Sequence, residues 1–319
     1  MGDAASATLD AWAVAHAAAK AIGSFDAGNP GRFGLATDGL HKVAATDPDA
    51  VLAWNPATGW ESALGADDPN SDLLDLYLPI SSASVARPIT IGHLGQSLDG
   101  FIATHSGDAI SVTGPENILH LHRLRALCDA VIVGAATVAA DNPRLTTRLV
   151  AGANPVRVIL DPGCRLPPQH TVFNDRAALT LRACAAGSAA AAEARARGEQ
   201  TLEVAAHEGS LDLKDLLRQL HALGYSRIFV EGGGVTVSSF LTAGLLDRLH
   251  IAIAPLLIGE GRPAIRMPPQ LRLQDCLRLR HRVYRAGSDI LFDCDLRAAT
   301  NGKANGHDAA VSSSIRRVL

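Results

Sequence analysis

Aromatic side chains make up only 4% of this 319-residue chain, and no basic block exceeds a few residues. A base-stacking surface or a phosphate-tracking groove needs these features, so a nucleic-acid partner is not supported. The five cysteines, Cys128, Cys164, Cys184, Cys276 and Cys294, include no C-x-x-C pair, and their number is odd. That argues against a disulfide framework or a zinc site, and for structural thiols in a reducing compartment. No apolar run approaches the ~18 residues of a membrane span, and Met1-Gly2-Asp3-Ala4 lacks a basic leader region. A soluble cytoplasmic protein without a membrane partner is the expectation. Gly-x-Ser-x-Gly is missing, which counts against a hydrolase. H-x-E and H-E-x-x-H are missing too. His120 and His122 lie two apart on a helical stretch and so diverge, and no metal is expected.

Forty-seven per cent of residues are hydrophobic and the net charge is -3, enough for one large domain or two ordinary ones. Residues 1–86 hold all three tryptophans, Trp12, Trp54 and Trp60. They read as a small extension that packs on the main domain or on a partner. It has an alanine-rich helix near 9–22, turns over 54–60 and a linker at Ser81-Ser82-Ala83-Ser84. From Ile89 short apolar strands alternate with helices. Strands are expected at 89–93, 130–133, 156–160, 178–181, 202–205, 228–230 and 249–254, with a hairpin of 277–285 and 289–296. Thr113-Gly114-Pro115-Glu116 fits a capping box opening a helix to Cys128, with Leu121, Leu124 and Cys128 on one side. A second helix spans 212–223 and stops at Gly224, and a surface helix is expected within 187–199. The fold class is therefore α/β: a mostly parallel central sheet, flanking helices and a C-terminal antiparallel hairpin. The small, polar tail from about Ala298 is expected to be disordered.

Two strand ends run through glycine into helices, at Val133-Gly134-Ala135-Ala136-Thr137 and Val230-Glu231-Gly232-Gly233-Gly234-Val235. Each is either a tight packing corner or a place where bare amides meet a phosphate. Gly95-Gln96-Ser97-Leu98-Asp99-Gly100 reads as a turn after the first strand. Asp99 there either braces the turn or belongs to a loop over a cofactor. Asp141-Asn142-Pro143-Arg144-Leu145-Thr146-Thr147-Arg148 ends a helix and leaves a carboxylate and guanidiniums near the sheet edge. Arg148, with Arg125 from the preceding helix, can hold a phosphate. Glu231 either faces the cleft or forms a salt-bridged strand terminus.

These pieces, together with His122-Arg123-Leu124-Arg125, Pro155-Val156-Arg157-Val158-Ile159-Leu160-Asp161, Gly244-Leu245-Leu246-Asp247-Arg248-Leu249 and Ala254-Pro255-Leu256-Leu257-Ile258-Gly259, occur in register from about Arg87 to Leu296. In this the chain resembles the reductase domain of riboflavin biosynthesis, the RibD C-terminal family with its dihydrofolate-reductase-like fold. The resemblance implies a reductase domain at 87–297 and NADPH-dependent reduction of 5-amino-6-(5-phosphoribosylamino)uracil. Hydride would pass to the ribosyl C1′ through the ring-opened imine. It assigns Gly95, Ser97, Ser111, Gly134, Ala135, Ala136, Thr137, Asp141, Asp161, Gly232, Gly233, Gly234 and Val235 to the NADPH site. Ala109, Arg125, Leu145, Arg148 and Glu231 fall to the substrate, and Asp141, Glu231 and His93 to the chemistry. A homodimer follows by the same analogy. Asp161, an acidic residue at a strand end, could instead favour an unphosphorylated ribose and so NADH. Family members usually carry Lys at the position of His93, and Ser-x-Trp where this chain has Ala109-Ile110-Ser111, so the substrate-facing wall is altered. A pterin or other pyrimidine-like substrate, and a nucleotide-binding protein without catalysis, are the alternative readings. No deaminase zinc signature occurs in residues 1–86, so the preceding deamination is expected of another enzyme.

Overall fold

The computed structural model describes residues 9–301 except Asp26, Ala66 and Ser111, with side chains through Arg297. The chain opens with α1 (Ala11–Ala21), whose N-cap Asp10 accepts from the amides of Trp12 and Ala13. Strands β1 (Gly31–Ala36), β2 (Gly39–Val43), β3 (Leu52–Asn55) and β4 (Gly59–Ser62) form a small antiparallel sheet, followed by α2 (Ser71–Ser81). The turns expected over 54–60 are thus the ends of a hairpin in which Trp54 faces Trp60 across the strands. These rings meet Phe25 and Phe33 edge-on or tilted at centroid distances of 5.0–5.2 Å. Cross-strand aromatic packing overrides the local turn signal.

The segment 81–84 is not a linker. Ser81 ends α2 fully buried, and its Oγ donates to the Ala15 carbonyl at 2.8 Å. Ser82 Oγ donates to the Leu78 carbonyl and accepts from Trp60 N. Arg227, far along the chain, reaches back to the carbonyls of Ala19 and Ala83. The extension is packed onto the larger part through one continuous core that joins Trp12, Leu74 and Tyr77 to Ile91, Leu124 and Val131.

The larger part follows in chain order as β5 (Ile89–Ser97), β6 (Phe101–Thr104), α3 (Pro115–Leu127), β7 (Ala130–Gly134), α4 (Ala135–Asp141) and β8 (Val156–Leu160). Then come α5 (Thr171–Asn174), β9 (Thr180–Ala185), α6 (Ala189–Ala196), β10 (Thr201–Val204), β11 (Ala206–His207), β12 (Ser210–Leu211) and α7 (Leu213–Ala222). The chain closes with β13 (Arg227–Val230), α8 (Gly234–Thr242), β14 (Arg248–Ala254), β15 (Gly261–Pro263), β16 (Leu277–Ala286) and β17 (Asp289–Asn301). The central sheet runs β10-β9-β8-β7-β13-β5-β14-β17-β16, parallel from β10 to β14 and antiparallel at the β17 and β16 edge. This is the expected class. Strand β5 is longer than expected and carries Gly95 to Ser97 inside the sheet. Strand β17 continues through residues 298–301, four positions into the expected tail; the rest of that tail lies outside the described residues.

Alternation sends Val131, Val133 and Phe229 to one core and Ala130, Ile132, Ile228 and Val230 to the other, so the sheet is covered on both faces. The predicted capping box does not form. Gly114 is the N-cap of α3 and its amide donates to Asp289 Oδ2 instead. Among the described residues no helix is long and apolar enough to cross a membrane.

Candidate active site

The two glycine corners stand side by side because β7 and β13 are parallel neighbours. The Gly233 amide donates to Thr137 Oγ1 at 3.1 Å, tying one corner to the other. Thr137 therefore accepts here, leaving its hydroxyl proton for a ligand. A Cβ on Gly134 would lie 2.6 Å from Thr236 Oγ1, and one on Gly234 only 2.0 Å from the Ala264 carbonyl oxygen. Both corners need glycine because helix and strand touch. The Gly234 and Val235 amides at the start of α8 have no partner within the helix, and both residues line the cleft.

That cleft is a cavity of about 910 Å³ at the carboxyl rim of the sheet. His93, Gly95, Ala109, Gly134, Ala135, Ala136, Thr137, Asp141, Glu231, Gly232, Gly233, Gly234 and Val235 all line it. Sequence reasoning missed Thr113, Asn117, Leu211, Leu213, Arg262 and Arg266, which line it as well. No short motif marks these; they arrive from distant elements. Burial raises the Asp141 carboxyl above its usual range, partly offset by the positive charge of Arg262.

Other residues lie elsewhere. Asp161 is buried behind the rim, accepting from the amides of Arg165 and Leu166 and from Arg182 Nη1 at 2.5 Å. Its oxygens serve a loop and an ion pair, so the ribose contact that would have favoured NADH is withdrawn. Ser97 Oγ donates to Asp99 and accepts from Phe101 N. Asp99 in turn accepts from the amides of Ile258 and Gly259, which makes it a turn brace. Ser111 lies outside the described residues.

Glu231 does both things foreseen for it. Its carboxylate borders the cavity and is gripped by Arg125, with Nε to Oε2 at 2.9 Å and Nη2 on Oε1. Arg125, itself buried, also reaches the Thr146 carbonyl. Arg148 Nη1 donates to Thr146 Oγ1 at 2.7 Å, and its amide donates to His122 Nδ1. Burial and the charges of Arg125 and Arg144 lower the Arg148 pKa; the same kinds of cause push His122 down to about 4. Leu145 is buried under this group with φ +55°. Arg125 pairs with Glu231, and the charges of Arg125, Arg144 and Glu231 all act on Arg148. Guanidinium thus outnumbers carboxylate in a cluster beside the cavity lining, which Arg125, Leu145 and Arg148 do not join.

His93 is buried, with Nε2 2.9 Å from Asn117 Oδ1, while Asn117 Nδ2 donates to Thr113 Oγ1. The amide oxygen only accepts, so His93 carries its proton on Nε2 and offers Nδ1 as an acceptor. Burial and the neighbouring His250 push its pKa down to about 3. The ring is neutral at physiological pH.

A covered, mostly parallel sheet with a cleft above two glycine corners defines an α/β protein with a ligand-sized cleft at its sheet rim. The chain belongs to the RibD C-terminal domain family, whose model matches residues 88–292. It is 37% identical over 214 residues to the 2,5-diamino-6-ribosylamino-4(3H)-pyrimidinone 5′-phosphate reductase of Methanothermobacter thermautotrophicus, covering 65% of this chain and 97% of that one. It is 36% identical over 176 residues to the riboflavin biosynthesis protein RibD of Aquifex aeolicus, covering 55% of this chain and 48% of the relative. Among solved structures, Acinetobacter baumannii RibD superposes with a TM-score of 0.57 at 27% identity, covering 72% of this chain and 63% of that one.

Proposed function

We propose that the chain is an NADPH-dependent reductase of riboflavin biosynthesis acting on a phosphorylated ribosylaminopyrimidine. Its reductase unit would be residues 87–297, working as a cytoplasmic homodimer. The observation that carries this reading is the position of Glu231. It borders the glycine corner on one side and the Arg125 and Arg148 guanidiniums on the other. On this reading a dinucleotide site and a phosphate site adjoin a single carboxylate. The cavity suits such a cofactor: it holds about 910 Å³, and both glycine corners and the start of α8 form part of its wall.

A bound nicotinamide supplies the hydride. The protein's residues do the rest. The α8 amides and the Thr137 hydroxyl would hold pyrophosphate, with Arg262 as the nearby cation. Arg148, braced by Thr146, would hold the substrate phosphate. Glu231, held in place by Arg125, would accept from ribose hydroxyls and fix the C1′ carbon in the cleft. Asp141, with its raised pKa, would deliver the proton to the ring oxygen as the sugar opens. His93 Nδ1 would accept from a pyrimidine N–H.

The test is steady-state oxidation of NADPH and NADH with two substrates. One is the diaminopyrimidinone phosphate named for the Methanothermobacter relative, and the other is its deaminated uracil counterpart. Turnover of either with NADPH is expected. Turnover of a pterin alone would move the chain to another substrate class. Tight NADPH binding with no turnover across the panel would mean that catalysis has been lost.

A further inference from the structure

Under α3 a polar row crosses the sheet where apolar side chains would ordinarily pack. His93 on β5, His250 on β14 and Asp293 on β17 are register neighbours, and all three are buried. Helix α3 lies over them with Asn117 and His120, also buried. The row does not end within the family domain. Tyr77, on α2 of the N-terminal segment, places its hydroxyl 2.6 Å from His120 Nδ1. His120 Nε2 is 3.1 Å from His250 Nδ1. His250 Nε2 lies 3.1 Å from Asp293 Oδ1, although the approach is bent away from good hydrogen-bond alignment. Asp293 is also held by Arg248.

The Tyr77 hydroxyl can both donate and accept, so it completes the line at His120 Nδ1 whichever ring nitrogen carries the proton. A phenyl ring at position 77 can do neither and leaves that buried nitrogen without its partner. The His120 ring also packs on His93 at a centroid distance of 5.4 Å. Asn117, three residues earlier on the same helix, holds His93 Nε2 in the cavity wall. Helix α3 buries Asn117, His120, His122 and Arg125 alongside only two leucines. Directional bonds, more than apolar grip, therefore fix its rotation.

We infer that Tyr77 is a positioning residue of the cavity: through His120 it sets the rotation of α3, and with it the places of Asn117 and His93. The N-terminal segment then braces the site from behind, through α3, without lining it.

Full-length Tyr77→Phe tests this, with Asp75→Asn as the control. Asp75, on the same helix as Tyr77, pairs with Arg282 and makes no hydrogen bond or ion pair with His120 or His93. Long-range proton–nitrogen spectra of the imidazoles should show His120 and His93 signals both displaced in Tyr77→Phe and unmoved in Asp75→Asn. NADPH affinity, read by fluorescence titration, should stay within about twofold in both, because the glycine corners stand on β7 and β13. Pyrimidine kcat/KM should fall roughly tenfold in Tyr77→Phe alone. If Tyr77→Phe does not fold, fluorotyrosine incorporated at the chain's three tyrosines makes the hydroxyl at 77 more acidic and should move the same two histidine signals. His93 signals that coincide with wild type, or equal damage from Asp75→Asn, would overturn the inference. The kinetic arm rests on the proposed reductase activity, whereas the imidazole spectra do not. A wild-type chain inert toward pyrimidines would remove that activity and leave the spectra to decide the role of Tyr77.

Discussion

Arg148 uses one guanidinium nitrogen on Thr146 and feels the charges of Arg125, Arg144 and Glu231. If its remaining donors meet substrate phosphate, Arg148→Ala removes charge-assisted bonds of about 1.5–3 kcal/mol. KM for the phosphorylated pyrimidine should then rise on the order of ten- to a hundredfold while KM for NADPH stays within about twofold. Equal increases would take Arg148 out of the phosphate role. At this scale the sequence was legible where function is local. The corner Glu231-Gly232-Gly233-Gly234 declares itself in four consecutive letters. Asp161 misled because its partner, Arg182, lies 21 residues on and claims the carboxylate from the neighbouring strand. Tyr77, His120, His250 and Asp293 were invisible as a set, being brought together from α2, α3, β14 and β17. The one available signal was a histidine at position 250, inside an otherwise apolar strand.

Elements with strong local signals fell where their patterns placed them. The α7 leucines, Asp212 N-cap and Gly224 stop mark that helix within a residue. Elements defined by distant contacts did not, as the Trp54 and Trp60 strands and the polar buried face of α3 show. The join of α8 to β15 is another such contact. A Cβ at position 234 would overlap the carbonyl oxygens of Ala264 and Pro263, at 2.0 and 2.6 Å. Neither carbonyl can move freely, because the Ala264 amide is bonded to the Gly100 carbonyl and β15 pairs with β6. Gly234→Ala must therefore push the first turn of α8 away from its corner. Overpacking of this kind costs about 1–3 kcal/mol of stability, and it displaces the amides proposed for pyrophosphate. A lower urea midpoint together with at least a tenfold weaker NADPH affinity is expected. An alanine variant that binds NADPH as wild type does would show that those amides are not used.

Across the whole molecule, one core joins the N-terminal segment to one face of the sheet, and the buried histidines sit within that packing. Their burial couples global stability to pH. The folded His93 ring takes a proton only near pH 3, against 6.5 for an ordinary imidazole, and burial likewise holds His120 well below that value. Below pH 6.5 the unfolded chain binds protons that these folded rings refuse. The stability they allow is therefore complete above 6.5 and is lost as pH falls toward 3. Each ring adds up to about 1.4 kcal/mol per pH unit to that loss. Asp293 acts in the same sense: burial raises its pKa, but His250 and Arg248 outweigh burial and hold it low, so its contribution also fades in acid. Asp141, with its raised pKa, opposes the trend, but weakly because it is partly exposed. Urea unfolding should give a flat stability between pH 7.5 and 6.5 and a steep fall below it. His93→Gln should flatten that fall by close to one proton's slope. An unchanged slope in the variant would mean that His93 is protonated in the folded chain, and the neutral acceptor proposed for the substrate would have to be abandoned.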